Sequence, residues 1–470
     1  MSAIITDPFK KQLTQTVFDE VTNTTNRYYI GIGRSESWDS AETVPDPTDA
    51  PRTIRNVRAG LQSIKSASDV SYVIPRYNWS SGSIYQAYDD DLTSIPDTNP
   101  YAVLTEDNQV YIVLQQAKNS AGTATTSTVK PTGTSTKPFK TSDGYVWKFL
   151  YSLSAARASA FLSANFVPVE KILDSARVND LTGTTTLTAL EITQALVQDS
   201  AVPGQIVGIS VTEGGTGYTS APTVTINGDG VRAAATATVS GGAVTKIELD
   251  SSTDSAIAMG QGYNFASVAI TGGGGSGAKA RTILGPDAGI GADARDDLKS
   301  TSIMFNSKPA GNENSTFLVA DNSSHGGTGS DFRQVMLIRD PESSLGVVTA
   351  TSKKALRFLK TSSTSSFSVD DLITNSKTPP ARAFVDQVDS NRVYFHQNDS
   401  SGFTEFLVGD TITNGSVTAT LIDAGPGAGD SSFSFEGYDI TTGDILYIEN
   451  RAPVIRNDNQ TEDIKVVMTL

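Results

Sequence analysis

Gly443-Asp444-Ile445-Leu446-Tyr447-Ile448-Glu449-Asn450-Arg451-Ala452-Pro453, running on through Gln460-Thr461-Glu462-Asp463 to Ile464 and Leu470, is the stretch on which the fold turns. Ile445 to Ile448 is apolar on both faces and reads as a strand. A polar loop follows. Ile464, Val466, Met468 and Leu470 then alternate with Lys465, Val467 and Thr469, the period-two pattern of a second strand. The chain is expected to end inside a sheet, its terminus held by strand pairing.

Working outward, the same β signature recurs. The 470 residues exceed what one core supports, so two or three domains are expected. The apolar content of 38% is modest and lies in short alternating runs. Forty glycines and nineteen prolines interrupt those runs at the spacing of all-β folds rather than helical bundles. There is no cysteine, which excludes disulfides and thiolate metal sites. The first residues lack a basic region and a long apolar run, and no later stretch suits a bilayer span, so a soluble protein without membrane insertion is expected. A net charge of −15 and a pI near 4.6 argue against nucleic acid as a partner. The densest basic run, Lys353, Lys354, Arg357 and Lys360, reads as a solvated face.

Two helices stand out. Asp7 caps the first, Pro8 suits its first position, and Phe9, Leu13, Val17 and Val21 recur every four residues. That stripe covers the body's own core or, as the less favoured option, faces a neighbouring subunit. A second, short helix is expected over Ala155 to Leu162. The rest reads as strands and loops, with Ser120 to Lys137 an ordered loop or a partner-contacting arm.

Between residues 196 and 284 the composition shifts to Gly, Thr, Ala and Val, and a repeat appears. Gly217-Tyr218 with Val224-Thr225-Ile226 returns as Gly262-Tyr263 with Val268-Ala269-Ile270. A single such unit hardly buries a core alone, so the two copies should form one small pseudo-symmetric module. A second module is expected over 349–430. There Phe367-Ser368-Val369-Asp370-Asp371-Leu372-Ile373-Thr374 is echoed by Phe406-Leu407-Val408-Gly409-Asp410-Thr411-Ile412-Thr413, as in a compact β-barrel. Gly425-Pro426-Gly427-Ala428-Gly429 then makes a flexible return. The fold expected is mainly β: a discontinuous β-sandwich body of residues 1–195, 285–348 and 431–470, with few short helices and two inserted β-modules.

Five blocks carry a family resemblance. Gly33-Arg34-Ser35-Glu36-Ser37-Trp38 closes an apolar strand and opens an acidic, proline-bearing loop. Val73-Ile74-Pro75-Arg76 with Trp79, Asp143-Gly144-Tyr145-Val146-Trp147-Lys148-Phe149 and Phe332-Arg333-Gln334-Val335 follow, and the C-terminal stretch containing Glu449, Asn450, Arg451, Gln460 and Glu462 completes the set. In this order they resemble the baseplate wedge subunit of contractile-tailed bacteriophages of the T-even type. The resemblance implies a structural virion protein of the tail baseplate, assembled in the host cytoplasm. It further implies a homodimer that bridges other wedge proteins during assembly and the triggering of sheath contraction. The acidity suits a protein kept soluble at high copy before assembly. The two modules have no counterpart in the T-even pattern, so the resemblance is silent on their role. The alternative is a spike- or fibre-associated β-protein binding host polysaccharide.

No constellation of catalytic residues, metal ligands or cofactor-binding residues emerges, and the chain is expected not to be an enzyme. Gly272 to Gly277 resembles a phosphate loop, but a strand rather than a helix follows, so a turn is the better reading. His325 reads as a loop residue and His396 as a strand residue. Asp89-Asp90-Asp91, Asp296-Asp297, Asp370-Asp371 and Glu36 with Asp39 read as solvated turn or cap residues rather than a glycosidase pair. Trp38, Trp79 and Trp147 are expected in the body core, each with its indole N–H bonded. Arg34, Arg76, Arg333 and Arg451 either bind partner carboxylates at subunit contacts or pin their own loops.

Overall fold

The structure is a computed structural model that describes residues 4–22, 27–67, 69–173, 187–250, 257–319, 331–425, 432–434 and 437–470. His325 and most of the glycine-rich return after Ala424 lie outside those residues. The fold is mainly β, and every strand pair with an assigned register is antiparallel. The chain packs as two compact units. The first comprises residues 1–15, 71–304 and 467–470, the second residues 16–70 and 305–466. The residues expected to form one body are thus divided between both units.

In the second unit the apolar strand Tyr28–Gly33 is buried along its whole length. It lies in a five-stranded sheet ordered Ser352–Lys354, Leu61–Ser66, Tyr28–Gly33, Asp331–Arg339, Asp444–Ile455. Tyr29, Leu61, Ile64, Met336 and Ile338 form the core on one face, with Val57 supplied by the helix Pro51–Ala59. The signature strand extends beyond the four apolar residues, running from Asp444 to Ile455. Its pairing with Asp331–Arg339 slips at two places, around Leu446 and across Arg451 to Pro453. An edge strand with bulges accommodates a proline, which has no N–H to offer a ladder. The second module is a closed antiparallel barrel: Arg392–His396, Arg382–Asp389, Leu372–Asn375, Thr411–Thr413, Thr418–Ile422 and Arg357–Thr361, which pairs back to Arg392–His396. Phe367 and Phe406, and Ile373 and Ile412, the equivalent residues of the sequence echo, all point into its core.

In the first unit Ala102–Leu104, Gln109–Gln115, Val146–Ser152 and Phe139–Lys140 form a four-stranded sheet. Its aromatic core of Tyr85, Tyr111, Tyr145, Trp147 and Phe149 is closed by Val197. Val197 comes from the helix Ala189–Asp199, which begins with a capping box between Thr188 and Glu191. This helix and Pro51–Ala59 correct the expectation of strands and loops in those segments. The short helix Ala155–Phe161, capped by Ser154, falls where expected. At the C-terminus, Val467 packs against the Val73, Phe161 and Met304 cluster, and the Leu470 N–H donates to Thr301 O at 3.2 Å.

The glycine-rich repeat is intertwined. Ile206–Thr216 pairs with Ser276–Leu284, Ala235–Ser240 with Ala243–Leu249, and Thr223–Gly228 with Ala266–Thr271. The first strand of each copy therefore pairs with the last strand of the other, and the middle strands pair together. Tyr218 and Tyr263 are both buried. A Cβ at Gly275 would lie 2.5 Å from the Tyr218 ring, and one at Gly230 would lie 2.4 Å from Tyr263. The run that resembled a phosphate loop is thus a socket for Tyr218.

The helix Asp7–Thr22 departs from expectation. Thr14 and Val21 are buried, whereas Phe9 is 60% and Leu13 42% exposed. Polar anchors turn a different face inward. Gln15 accepts from the Tyr72 hydroxyl at 3.0 Å and from Arg295, and Lys11 pairs with Asp296 at 2.7 Å.

Candidate functional site

Three of the five blocks meet in the second unit. The strand Tyr28–Gly33 ends where Gly33 passes so close to the neighbouring backbone that a Cβ would lie 2.6 Å from Gly60 O. Arg34 then takes a left-handed backbone, φ 62°, and reverses the chain into the loop. Its guanidinium stacks on Trp38 at 4.1 Å and Nη2 donates to Ser37 O, while its buried Nε has no partner. Trp38 donates its indole N–H to Arg451 O at 2.9 Å. Arg333 is almost wholly buried and grips Glu42 with Nε at 2.9 Å and Nη2 at 2.7 Å. Its Nη1 donates to Ser35 O at 2.6 Å and lies 2.8 Å from Asp331. The Arg333 hydrogen bond is the main cause that pulls Glu42 down to about 2. Gln334 donates to Asn450 Oδ1, and Asn450 donates to Pro45 O. Arg333 therefore pins its own loop, and no partner chain is needed to satisfy it.

Next to this node lies a buried charge triad. The two oxygens of Asp386 sit 2.8 and 3.0 Å from His396 Nδ1. Glu36 Oε1 lies 3.2 Å from Nε2, close enough for an ion pair but without hydrogen-bond alignment. Burial alone would lower the His396 pKa, but the charge and hydrogen bonds of Asp386, with the Glu36 carboxylate facing Nε2, outweigh it and hold it up to about 10. Burial opposes ionisation of Glu36 as well, yet His396, Asn398 and Arg34 bring it down to about 2. The imidazolium has a carboxylate at each nitrogen and no free lone pair, so it acts as a charged rivet rather than a base. Arg34, Glu36, His396 and Asp370 line an adjoining cavity of about 500 Å³. The sequence reading placed His396 in a strand, as found, but missed the triad: Asp386 reaches it from the adjacent strand, and Glu36 stands in a distant loop.

The C-terminal signature forms a cleft of about 470 Å³ lined by Glu449, Arg451, Gln460, Glu462 and Lys465. Its organising residue, which sequence reasoning missed, is Arg456. This side chain is 1% exposed, donates Nε to Glu462 at 2.8 Å and Nη2 to Gly311 O at 2.9 Å, and stacks on Phe317. Gln460 donates to the other oxygen of Glu462. Gln460 and Glu462 are thus internal pins. Arg451 is half-buried, and its guanidinium has no hydrogen bond or ion pair among the described residues.

The other two blocks lie in the first unit. Trp147 is fully buried, but its indole N–H has no hydrogen-bond partner among the described residues, which corrects the expectation for it. Trp79 is half-buried and donates to Ser127 Oγ at 3.1 Å, and Ser127 donates to Asp143. Arg76 pins Ser163 O and Asn78 within its own unit. Lys148 is buried and donates to Thr136 O, and desolvation pushes it down to about 8. Asp297, expected at the surface, is fully buried, and desolvation raises its carboxyl. Asp89, Asp90 and Asp91 are the one acidic group among the described residues with oxygens close enough to share an ion. Arg281 already occupies them, at 2.7 Å from Asp90 and 2.9 Å from Asp91 and also bonded to Asp89, which fastens the repeat module to the turn at Asp89–Asp91.

No protein-family model matches the chain, and no curated protein matches it. Among the described residues, no helix is long and apolar enough to cross a membrane.

Proposed function

We propose that the protein is a structural subunit of a contractile-tail baseplate wedge, a homodimer that bridges other wedge proteins and works without catalytic turnover. It would be assembled in the host cytoplasm and reside in the virion tail. The observation that carries this reading is the convergence of the blocks bearing the family resemblance. Gly33–Trp38, Phe332–Val335 and Glu449–Ala452 are hydrogen-bonded to one another across separations of 298 and 413 residues. Motif residues that lock each other in place are what a rigid joining subunit requires, because contacts to neighbours must be presented at fixed angles. The chemistry of the node agrees. Arg333 is paired with Glu42 and Asp331, and the histidine faces a carboxylate at each nitrogen, so these groups serve the fold rather than a substrate.

The test is reconstitution. Purified wedge proteins of the same phage, mixed with and without this chain, should give a complete wedge only when it is present, seen as a co-sedimenting complex. A complete wedge formed without it, or failure of the chain to bind any wedge protein, would refute the assignment.

A further inference from the structure

The five-stranded sheet of the second unit has two edges, and they are built differently. One is Ser352–Lys354, three residues with two lysines. Short, lysine-bearing edges are a standard defence against unwanted strand addition. The other edge is Asp444–Ile455, twelve residues long, with Asp331–Arg339 as its only hydrogen-bonded strand neighbour among the described residues. Its C-terminal half is defended by Pro453, by the bulge there, and by the loop that places Trp38 on Arg451 O and Pro45 on Asn450. The N-terminal half, Ile445-Leu446-Tyr447-Ile448-Glu449, carries the other bulge, at Leu446, but has no proline and no covering loop among the described residues. No described residue bonds to its backbone from the far side, and Leu446 is 39% exposed. An uncovered apolar edge of this kind recruits another strand.

We propose that this edge is the dimer interface, in which the Leu446–Glu449 strands of two copies pair antiparallel about a twofold axis between Tyr447 and Ile448. The pairing specifies the dimer of the function proposed above and rests on that reading. Charge placement selects a second copy as the occupant. Antiparallel pairing about that axis sets Asp444 of one copy against Arg451 of the other, and the twofold repeats the contact at the opposite end. Arg451 is the motif arginine whose guanidinium has no hydrogen bond or ion pair among the described residues. The Asp444 side chain is 62% exposed beyond its contact with Arg339. The two five-stranded sheets would become one continuous sheet across the dimer.

Sedimentation of the full chain, with hydrogen exchange from nanomolar to micromolar concentration, tests this. The wild type should reach twice its 49.6 kDa mass as the amides of Leu446–Glu449 gain protection. Leu446→Lys should weaken the dimer about 30-fold or more, the size of one interface hot spot, with circular dichroism and melting of the monomer unchanged. Asp444→Arg and Arg451→Asp should each weaken it, and the double reversal should restore it, which a merely structural role for either residue would not produce. A wild-type dimer with unprotected edge amides, or one indifferent to Leu446→Lys, would overturn the edge pairing while leaving wedge assembly standing. A monomeric chain whose edge is protected only on adding another wedge protein would overturn the second copy as occupant. Failure to enter wedges at all is read separately, in the reconstitution.

Discussion

Replacing Arg456 with alanine asks whether the C-terminal signature is an internal lock. The Arg456 and Glu462 side chains are 1% and 10% exposed, and the guanidinium also serves Gly311 O and the Phe317 ring. Truncation leaves the Glu462 carboxylate with Gln460 as its hydrogen-bond donor and strands it in a poorly hydrated site. Removing one partner of a buried pair costs about 3–5 kcal/mol. In a unit of roughly 150–250 residues each kcal/mol shifts Tm by about 2–4 °C, so calorimetry should register a fall of about 6–20 °C. Arg456→Met combined with Glu462→Leu should recover at least half of that loss, because the uncompensated charge is gone while the apolar volume is kept. A single variant that melts within about 2 °C of the wild type would refute the reading of Gln460 and Glu462 as pins.

The charged rivet makes stability depend on pH. His396 is raised in the folded state, so its contribution is complete below about 6.5 and is lost as pH rises through about 10; urea midpoints should fall between pH 7 and 10 in the wild type and much less in His396→Gln. Glu36 is lowered, so its share is complete above about 4.5 and is lost as pH falls towards about 2. Gly230→Ala and Gly275→Ala should each cost about 1–3 kcal/mol by overpacking against Tyr263 and Tyr218, and markedly unequal losses in thermal melts would contradict the pseudo-twofold equivalence of the repeats. Arg281→Ala leaves three carboxylates unopposed, so millimolar calcium should raise the Tm of that variant and not of the wild type; an equal response would show that Arg281 does not fill the site. Incubation with host glycans and peptidoglycan should yield no carboxylate-dependent cleavage, as judged by chromatography of the products.

What could be read from the sequence was whatever depends on near neighbours. Tyr218 and Tyr263 marked the repeat because each is buried by glycines of the same module. Phe367 with Ile373, and Phe406 with Ile412, mark the barrel because both pairs have the same spacing, a loop phenylalanine and a strand isoleucine that enter one core. The helix Ala189–Asp199 was also legible, since Thr188 and Glu191 spell its capping box, but the Gly/Thr-rich surroundings drew the reading towards loop. The helix Pro51–Ala59 was obscured by the acidic proline loop before it. What could not be read were groups whose partners arrive from far along the chain. The Glu36 that faces His396 also binds Asn398, 362 residues away, and Arg456 reaches Gly311 across 145. Neither pattern leaves a local trace, because a buried ion pair constrains only the two positions that form it. The helix Asp7–Thr22 misled for the opposite reason. Its apolar spacing was clear, but Gln15 and Lys11 were bound by Tyr72, Arg295 and Asp296, and those contacts chose the buried face.

The disposition of the motif arginines separates what the signature does for the fold from what it offers to a neighbour. Arg333 is bidentate on Glu42, Arg76 is tied to Ser163 and Asn78, and Arg34 is stacked on Trp38. An arginine already satisfied inside its own unit gains little from a partner's carboxylate, because a new pair must first break the old one and desolvate the newcomer. Arg451 differs. Its backbone oxygen is fixed by Trp38, which sets the strand's position, while its guanidinium is unpaired among the described residues. The same residue is anchored by its main chain and available by its side chain, beside a stretch of sheet edge that has neither proline nor loop to guard it among the described residues. If wedge assembly is the protein's role, the inward-facing arginines maintain the shape of the joint, and contact specificity falls to Arg451, Asp444 and the apolar edge between them.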